Sequence, residues 1–333
     1  MKEKLRIGII GLGKMGLLHA SLLNTFENVQ LVALCEKNAL MRKVCKSIFS
    51  STGVVVVNEI ERFDDLGLDA VYITTPISSH YYIVKELYTK KIVRNIFSEK
   101  TLSLNYDQGK EMCESARNAK GITMVGYMKR FSVVFGKAKE LLVQGRLGKP
   151  YSFNAYAYSS DFVGLTKGSN SNASRGGALR DIGCHIIDLV LWLLGDFKVD
   201  DISSNYGIHD SETFASFAAS NSTGLAGRFD ISQCMSNYRM PEFGCFVECD
   251  QGKIDVNDDR LYLTLRDGSK KVWYKHDLKD NVPFWLGETE YYRENQEFVN
   301  SLLENRECNP NFDTALKVDY VIDQIRKRMV KSG

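Results

Sequence analysis

"LRIGIIGLGKMGLLHASLL", Leu5 to Leu23, decides the fold. An apolar run of strand length breaks at glycines and resumes with helical periodicity, so it reads as strand, tight turn, helix. Gly11, Gly13 and Gly16 form GxGxxG. The first allows the turn, the second lets a pyrophosphate approach the backbone, and the third lets helix and strand pack closely. Free N–H groups and the helix dipole then favour an anion at the helix start, with Lys14 and Met15 inside the same turn.

Outward from that turn the pattern repeats. "QLVALCEKN" reads as a second strand ending in Glu36, twenty residues past Gly16. An acidic side chain there accepts the adenosine ribose hydroxyls and repels a 2′-phosphate, which favours NAD over NADP; the plain alternative is a capped, solvated turn. Lys37 beside it softens that preference. The run "GVVVVN", the strand "DAVYITTP", a helix from about Ser79 to Lys91, the strand "IVRNIFSEK", a helix from about Tyr106 to Lys120 and the strand "ITMVGY" follow. Strands alternating with helices predict an α/β domain over residues 1–127, a Rossmann doubly wound parallel sheet. Ligands of such sheets bind beyond the carboxyl ends of the strands, which brings Thr74, Thr75, Pro76, Ser98, Glu99, Lys100 and Gly126 beside the cofactor. Lys100 is either a solvated strand end or a group aimed at the nicotinamide. His80 reads as structural or cofactor-adjacent.

The texture changes after a connecting helix (about Ser132 to Gln144). "YSFNAYAYSS", "TFASFAAS", "GLAGRFDIS", "FGCFVECD", "GKIDVN" and "LYLTLRDGSKKVWYK" are strand candidates without intervening helices. They predict an α+β domain over 128–333 with a large mixed or antiparallel open sheet. Its uncovered face suits a homodimer or homotetramer. Two closing helices, around "YYRENQEFVNSLLEN" and "FDTALKVDYVIDQIRKR", end the chain, and the last is a candidate to pack back on the first domain.

The bulk numbers restrict function. The 333 residues carry 43 Lys and Arg against 41 Asp and Glu, a net charge of +2, without basic blocks, so neither nucleic acid nor a membrane surface is expected as partner. Neither a signal peptide nor a spanning run is read, which makes a cytoplasmic protein the expectation. The eight cysteines form no CxxC pair and read as free thiols; no metal is expected.

One segment resists a packing explanation. "GGALRDIGCHIIDLVLWLLGD", Gly176 to Asp196, holds Asp181, His185 and Asp188 at spacings of four and three, on one stripe of an otherwise core-seeking helix. Burying such groups costs several kcal/mol, roughly, unless they are paired. They form either a satisfied cluster or a site where protons move. The polar stretch "TKGSNSNASRGG" before them is a pocket rim or a solvated loop. Arg175 and Arg180, with Lys167, and Tyr127, Lys129 and Arg130 from the cofactor side, are candidates for polar or anionic substrate groups.

In this order the parts resemble the glucose–fructose oxidoreductase/inositol dehydrogenase (Gfo/Idh/MocA) family. The likeness rests on Gly11, Gly13 and Gly16, "TTP" with His80 after it, Glu99–Lys100, "GYMKRF", the Gly176–Asp196 segment, "GKP" at Gly148–Pro150 and "ETEYYRENQEF". It implies an NAD(P)-dependent dehydrogenase or reductase acting on a secondary alcohol or ketone of a sugar, polyol or nucleotide-sugar. The lysine, aspartate and histidine that meet the substrate in that family fall on Lys100, Asp181 and His185. His185 is then the general base in oxidation, Lys100 stabilises the reacting oxygen, and Asp181 fixes a substrate hydroxyl or the proton-bearing group. Asp188 reads as a structural partner. The family's usual proline after the lysine is Thr101 here, which speaks against a cis peptide at that bond, since non-proline cis forms cost about 2.5–4 kcal/mol. An NAD-dependent glycosidase of the same fold and a non-catalytic dinucleotide sensor are the competing readings.

Overall fold

The computed structural model describes residues 4–163, 176–206, 212–279, 282 and 289–329. The chain divides into two compact units: Met1–Tyr127 with Tyr291–Asp319, and Met128–Glu290 with Tyr320–Gly333. The sequence groups 128–333 together, with the last helix a candidate to pack back on the first domain; in the structure Tyr291–Asp319, which includes the start of that helix, belongs to the first unit. Polar contacts there account for it. The Pro310 carbonyl accepts from Val125 N–H (3.0 Å), and Asp319 accepts from Ser103 N–H (3.0 Å) and its hydroxyl (2.8 Å).

In the first unit, β1 (Leu5–Ile10), β2 (Val29–Cys35), β3 (Val55–Val57), β4 (Ala70–Ile73), β5 (Asn95–Ser98) and β6 (Thr123–Val125) form a parallel sheet in the order β3-β2-β1-β4-β5-β6. Helices α1 (Lys14–Leu23), α2 (Ala39–Ile48), α3 (His80–Thr89) and α4 (Tyr106–Ala119) make the crossovers. Strands β4 and β5 are buried on both faces, as a sheet covered by helices requires. Their aromatics stack, Tyr72 on Phe97 at 4.5 Å between centroids. Side-chain oxygens cap two of the helices: Asn38 accepts from Met41 N–H and Asn105 from Gln108 N–H.

Register positions the site. Ile10 lies opposite Cys35 and Ile73, Ile73 opposite Ser98, and Ser98 opposite Val125. The residues that follow, Gly11, Glu36, Thr74, Glu99 and Gly126, therefore emerge along one edge. Strand order reverses between β1 and β4, so that edge contains the switch point where such sheets take ligands.

The second unit holds α5 (Val133–Val143), β7 (Pro150–Tyr158), a π-helical turn (Leu179–Gly183) continuing into α6 (Cys184–Leu194), and strands β8 (Lys198–Tyr206), β9 (Glu212–Ser220), β10 (Ala226–Ser232), β11 (Glu242–Cys249), β12 (Gly252–Asn257), β13 (Arg260–Leu265) and β14 (Lys270–Tyr274). Their sheet runs β14-β13-β12-β11-β7-β10-β9-β8, antiparallel except where β10 pairs parallel with β7. Strand β8 escapes sequence reading because "KVDDISSNY" lacks an apolar alternation. The buried faces of β7, β10 and β11 carry Phe153, Phe229, Phe243 and Val247, each 2 % exposed or less. Burial of each such side chain contributes about 1.5–3 kcal/mol. The last helices are α7 (Glu290–Glu304) and α8 (Phe312–Met329).

Candidate active site

The glycine turn of the first unit is built from main chain. Gly11 has φ +94, and a Cβ there would stand 2.9 Å from Thr75 N. A Cβ on Gly16 would stand 2.0 Å from the Gly11 carbonyl oxygen, so only glycine lets α1 start so close to β1. Gly13 is the residue before α1; it has open space above it and offers no side-chain cap, which leaves the first N–H groups of α1 for an anion. Lys14 is exposed and Met15 half-buried in that turn. Thr74 locks the turn from β4, its hydroxyl donating to Gly11 O at 2.7 Å.

Glu36 closes the cradle. Its carboxylate accepts from Leu12 N–H (2.8 Å) and Asn38 N–H (2.7 Å), one donor per oxygen. An ionised carboxylate has about four acceptor positions, so both oxygens retain capacity for ribose hydroxyls. The open N-terminus of α1 and this half-occupied carboxylate fit a dinucleotide, with Gly13 at the pyrophosphate and Glu36 at the ribose.

His80 is fully buried, with Nδ1 3.0 Å from the Thr101 carbonyl and Nε2 2.9 Å from the Thr75 carbonyl. Burial pushes its pKa down against the pull of those carbonyls. It therefore ties the Thr74–Thr75–Pro76 turn to the segment after Lys100. Thr75 is half-buried and Pro76 exposed. The Lys100–Thr101 peptide is cis, against the sequence expectation. That expectation counted only the intrinsic preference of the bond, whereas here Lys100 N–H donates to Glu99 Oε2 (3.1 Å) and the Thr101 carbonyl meets His80. Burial raises the Glu99 carboxyl, but the hydrogen bond and charge of His19 and the neighbouring Lys100 outweigh it and hold it below the usual range.

In the second unit the polar stripe separates into two environments. Asp188, 1 % exposed, takes a two-pronged bond from Arg130, Nε to Oδ2 at 2.7 Å and Nη2 to Oδ1 at 2.6 Å. Burial lifts its carboxyl above the ordinary value while the Arg130 charge pulls the other way. Asp181 keeps partial exposure and accepts from Gln233 Nε2 at 2.8 Å. The π-turn changes the helical phase between Asp181 and His185, so the simple 3.6-residue stripe does not hold across Gly183. His185, 4 % exposed, meets the Phe243 ring edge-on at 5.4 Å.

Three proposed substrate cations or their neighbours are engaged or out of view. Lys129 pairs with Asp258 at 2.8 Å, Arg130 with Asp188, and Arg180 with Asp323 at 2.8 Å; all three are buried. A substrate anion would have to break a buried ion pair to use any of them, which costs several kcal/mol, roughly. Each is engaged by a carboxylate of its own unit. Tyr127 is fully buried, and Arg175 and Lys167 lie outside the described residues. Sequence reading missed Gln233, Glu212 and Arg326. Glu212 accepts from Leu179 N–H (3.1 Å) and pairs with Arg326 (2.8 Å), anchoring the start of the π-turn. These partners come from strands and helices far along the chain, with no local signal.

Residues 5–127 match a family model described as an oxidoreductase family with NAD-binding Rossmann fold, and 135–255 match the GFO/IDH/MocA C-terminal domain. Among curated relatives, scyllo-inositol 2-dehydrogenase (NAD(+)) of Bacillus subtilis is 28 % identical over 204 residues, 59 % of this chain and 55 % of that protein. The match thus spans about half the length of that relative. Among solved structures, an NAD-binding oxidoreductase from Klebsiella pneumoniae superposes with a TM-score of 0.86 at 20 % identity, covering 99 % of this chain and 98 % of the other. Levoglucosan dehydrogenase in complex with NADH gives 0.84 at 20 % identity, with the same coverages. At that identity the likeness speaks to the fold. With a six-stranded nucleotide cradle followed by an eight-stranded sheet, each matched by its own family model, the chain belongs to the Gfo/Idh/MocA oxidoreductase family.

Proposed function

We propose that this chain is an NAD-dependent dehydrogenase or reductase that moves hydride between nicotinamide C4 and a secondary alcohol or ketone of a sugar or polyol. The observation that carries this reading is the division of labour among the carboxylates. Asp188 is sealed against Arg130, while Asp181, one turn before His185, stays at the surface of its unit under the hold of Gln233. A helix that only packs has no use for the second arrangement. NAD, when bound, supplies the hydride acceptor. His185 takes the hydroxyl proton as the carbonyl forms, Lys100 stabilises the charge on that oxygen, and Asp181 orients the hydroxyl. Glu36 selects NAD over NADP.

A sugar or inositol substrate accords with the names of the relatives. The outer face of the sheet, bearing Tyr156, Tyr158, Phe246 and Tyr262, supports a homodimer or homotetramer, which sedimentation velocity would test. All eight cysteines are thiols, seven of them buried, in keeping with a reducing cytoplasm.

The test is a panel of inositols, aldoses and uridine-linked sugars with NAD and NADP, read by reduced-nicotinamide absorbance. At least one substrate should give turnover, and Lys100→Met and His185→Ala should each lower kcat by roughly 10²–10⁴-fold while NADH still binds. Glycoside cleavage without net cofactor turnover would replace the dehydrogenase with a glycosidase. Tight NADH binding without turnover on any substrate would leave only a sensor.

A further inference from the structure

His19 belongs to α1, the helix that starts at the glycine turn, yet its side chain serves the other end of the edge. The ring is fully buried, packed by Tyr72 at 5.4 Å, Phe97 at 5.0 Å and Tyr291 at 6.4 Å between centroids. Nε2 lies 3.0 Å from Glu99 Oε1 and Nδ1 lies 3.0 Å from Asn295 Oδ1. The orientation of the Asn295 amide is pinned, because its Nδ2 donates to the Tyr291 carbonyl at 2.7 Å and turns the oxygen toward the ring. Both ring nitrogens therefore face acceptors, a carboxylate and an amide oxygen. Glu99 in turn holds Lys100, its other oxygen accepting the Lys100 N–H at 3.1 Å. Gly126 leaves the room for this, since a Cβ there would stand 3.2 Å from Glu99 Oε2.

We infer that His19 is a positioning residue for Lys100: clamped by Asn295 and donating to Glu99, it fixes the strand end from which the lysine projects and ties that end to the helix of the dinucleotide cradle. The inference rests on the role given to Lys100 above. The charged or titratable groups facing the ring are Glu99, Tyr72 from β4 and Tyr291 from α7, with Lys100 next beyond Glu99. Burial and the Glu294 charge push the Tyr72 phenol well above its ordinary range, so it stays neutral beside the ring.

The test has two arms on the whole chain. In ¹H–¹⁵N NMR, with the His19 signals assigned by their loss in His19→Gln, the ring N–H donated to Glu99 should appear as a slowly exchanging proton, and Glu99→Ala should abolish it. A rapidly exchanging ring N–H in the parent chain overturns the inference, whatever the substrate proves to be. In kinetics, His19→Leu should lower kcat roughly 10²-fold, the cost of a misplaced reacting group, with NADH affinity altered less than about threefold. His19→Gln, which retains a donor toward Glu99, should recover part of the loss, with KM altered less than kcat in both variants. Lower thermal stability with kcat intact would reduce His19 to a core residue and refute the proposal. A parent chain inactive on every alcohol would defeat the dehydrogenase reading alone, because the NMR arm needs no turnover.

Discussion

The strand edge of the first unit and the polar stripe of the second are built from opposite materials. At the edge, main chain sets the geometry: Gly11 and Gly16 let a helix begin against a strand, Gly13 leaves open space before it, and the side chains around them mostly brace that backbone. In the stripe, side chains decide everything, and residue type alone does not. Asp181 and Asp188 are the same residue seven positions apart; one is held by Gln233 at partial exposure, the other sealed by Arg130. A backbone site announces itself by the residues it forbids. A side-chain site is defined by partners supplied from elsewhere in the fold.

Breaking the sealed pair should have the largest consequence. Asp188→Ala strands the Arg130 guanidinium in a buried setting and should cost about 3–5 kcal/mol of stability, read by denaturant unfolding. The double variant Asp188→Leu with Arg130→Met should recover much of it. If the single substitution were nearly neutral, the two carboxylates would not differ as described. In the glycine edge, Gly16→Ala should cost about 1–3 kcal/mol, because its methyl meets the Gly11 carbonyl, and NADH titration should show the loss first as weakened binding. Normal affinity in that variant would mean that the close start of α1 is not what makes the cradle.

The smallest effect compares the two units through acid. Glu99 is held below its ordinary value of 4.5, so its contribution to stability is complete above that pH and lost as pH falls through the lower folded value. Asp188, lifted by burial, has the opposite sign: its contribution is present at low pH and declines as pH rises through the folded value. Melting curves across the acid range should therefore flatten at the low end in Glu99→Gln. An unchanged acid slope would remove Glu99 from the ionised network around His19.

Much of the first unit was legible locally. GxGxxG between an apolar run and a helical period, Glu36 at the end of the next strand, and alternating strands and helices are enforced by sterics and periodicity, so they stand in the sequence itself. The second unit was legible as consecutive strands, except β8, whose polar residues hide its pairing with β9. Of the return of Tyr291–Asp319 to the first unit, only the last helix was a candidate from sequence; the helix before it and the cis peptide after Lys100 were not legible, since each depends on contacts between distant segments.

By itself, then, the order of residues determined where the glycine turn between β1 and α1 must form, that an acid ends the next strand, and which helix carries polar groups among its apolar ones. Only tertiary structure decided which of those groups are spent on ion pairs, that Lys129, Arg130 and Arg180 each meet a carboxylate, and that His19 reaches Glu99. The physical reason is range. Backbone sterics and periodicity act over a few residues and leave a local trace, whereas the state of a buried charge is set by whichever partner the fold delivers to it.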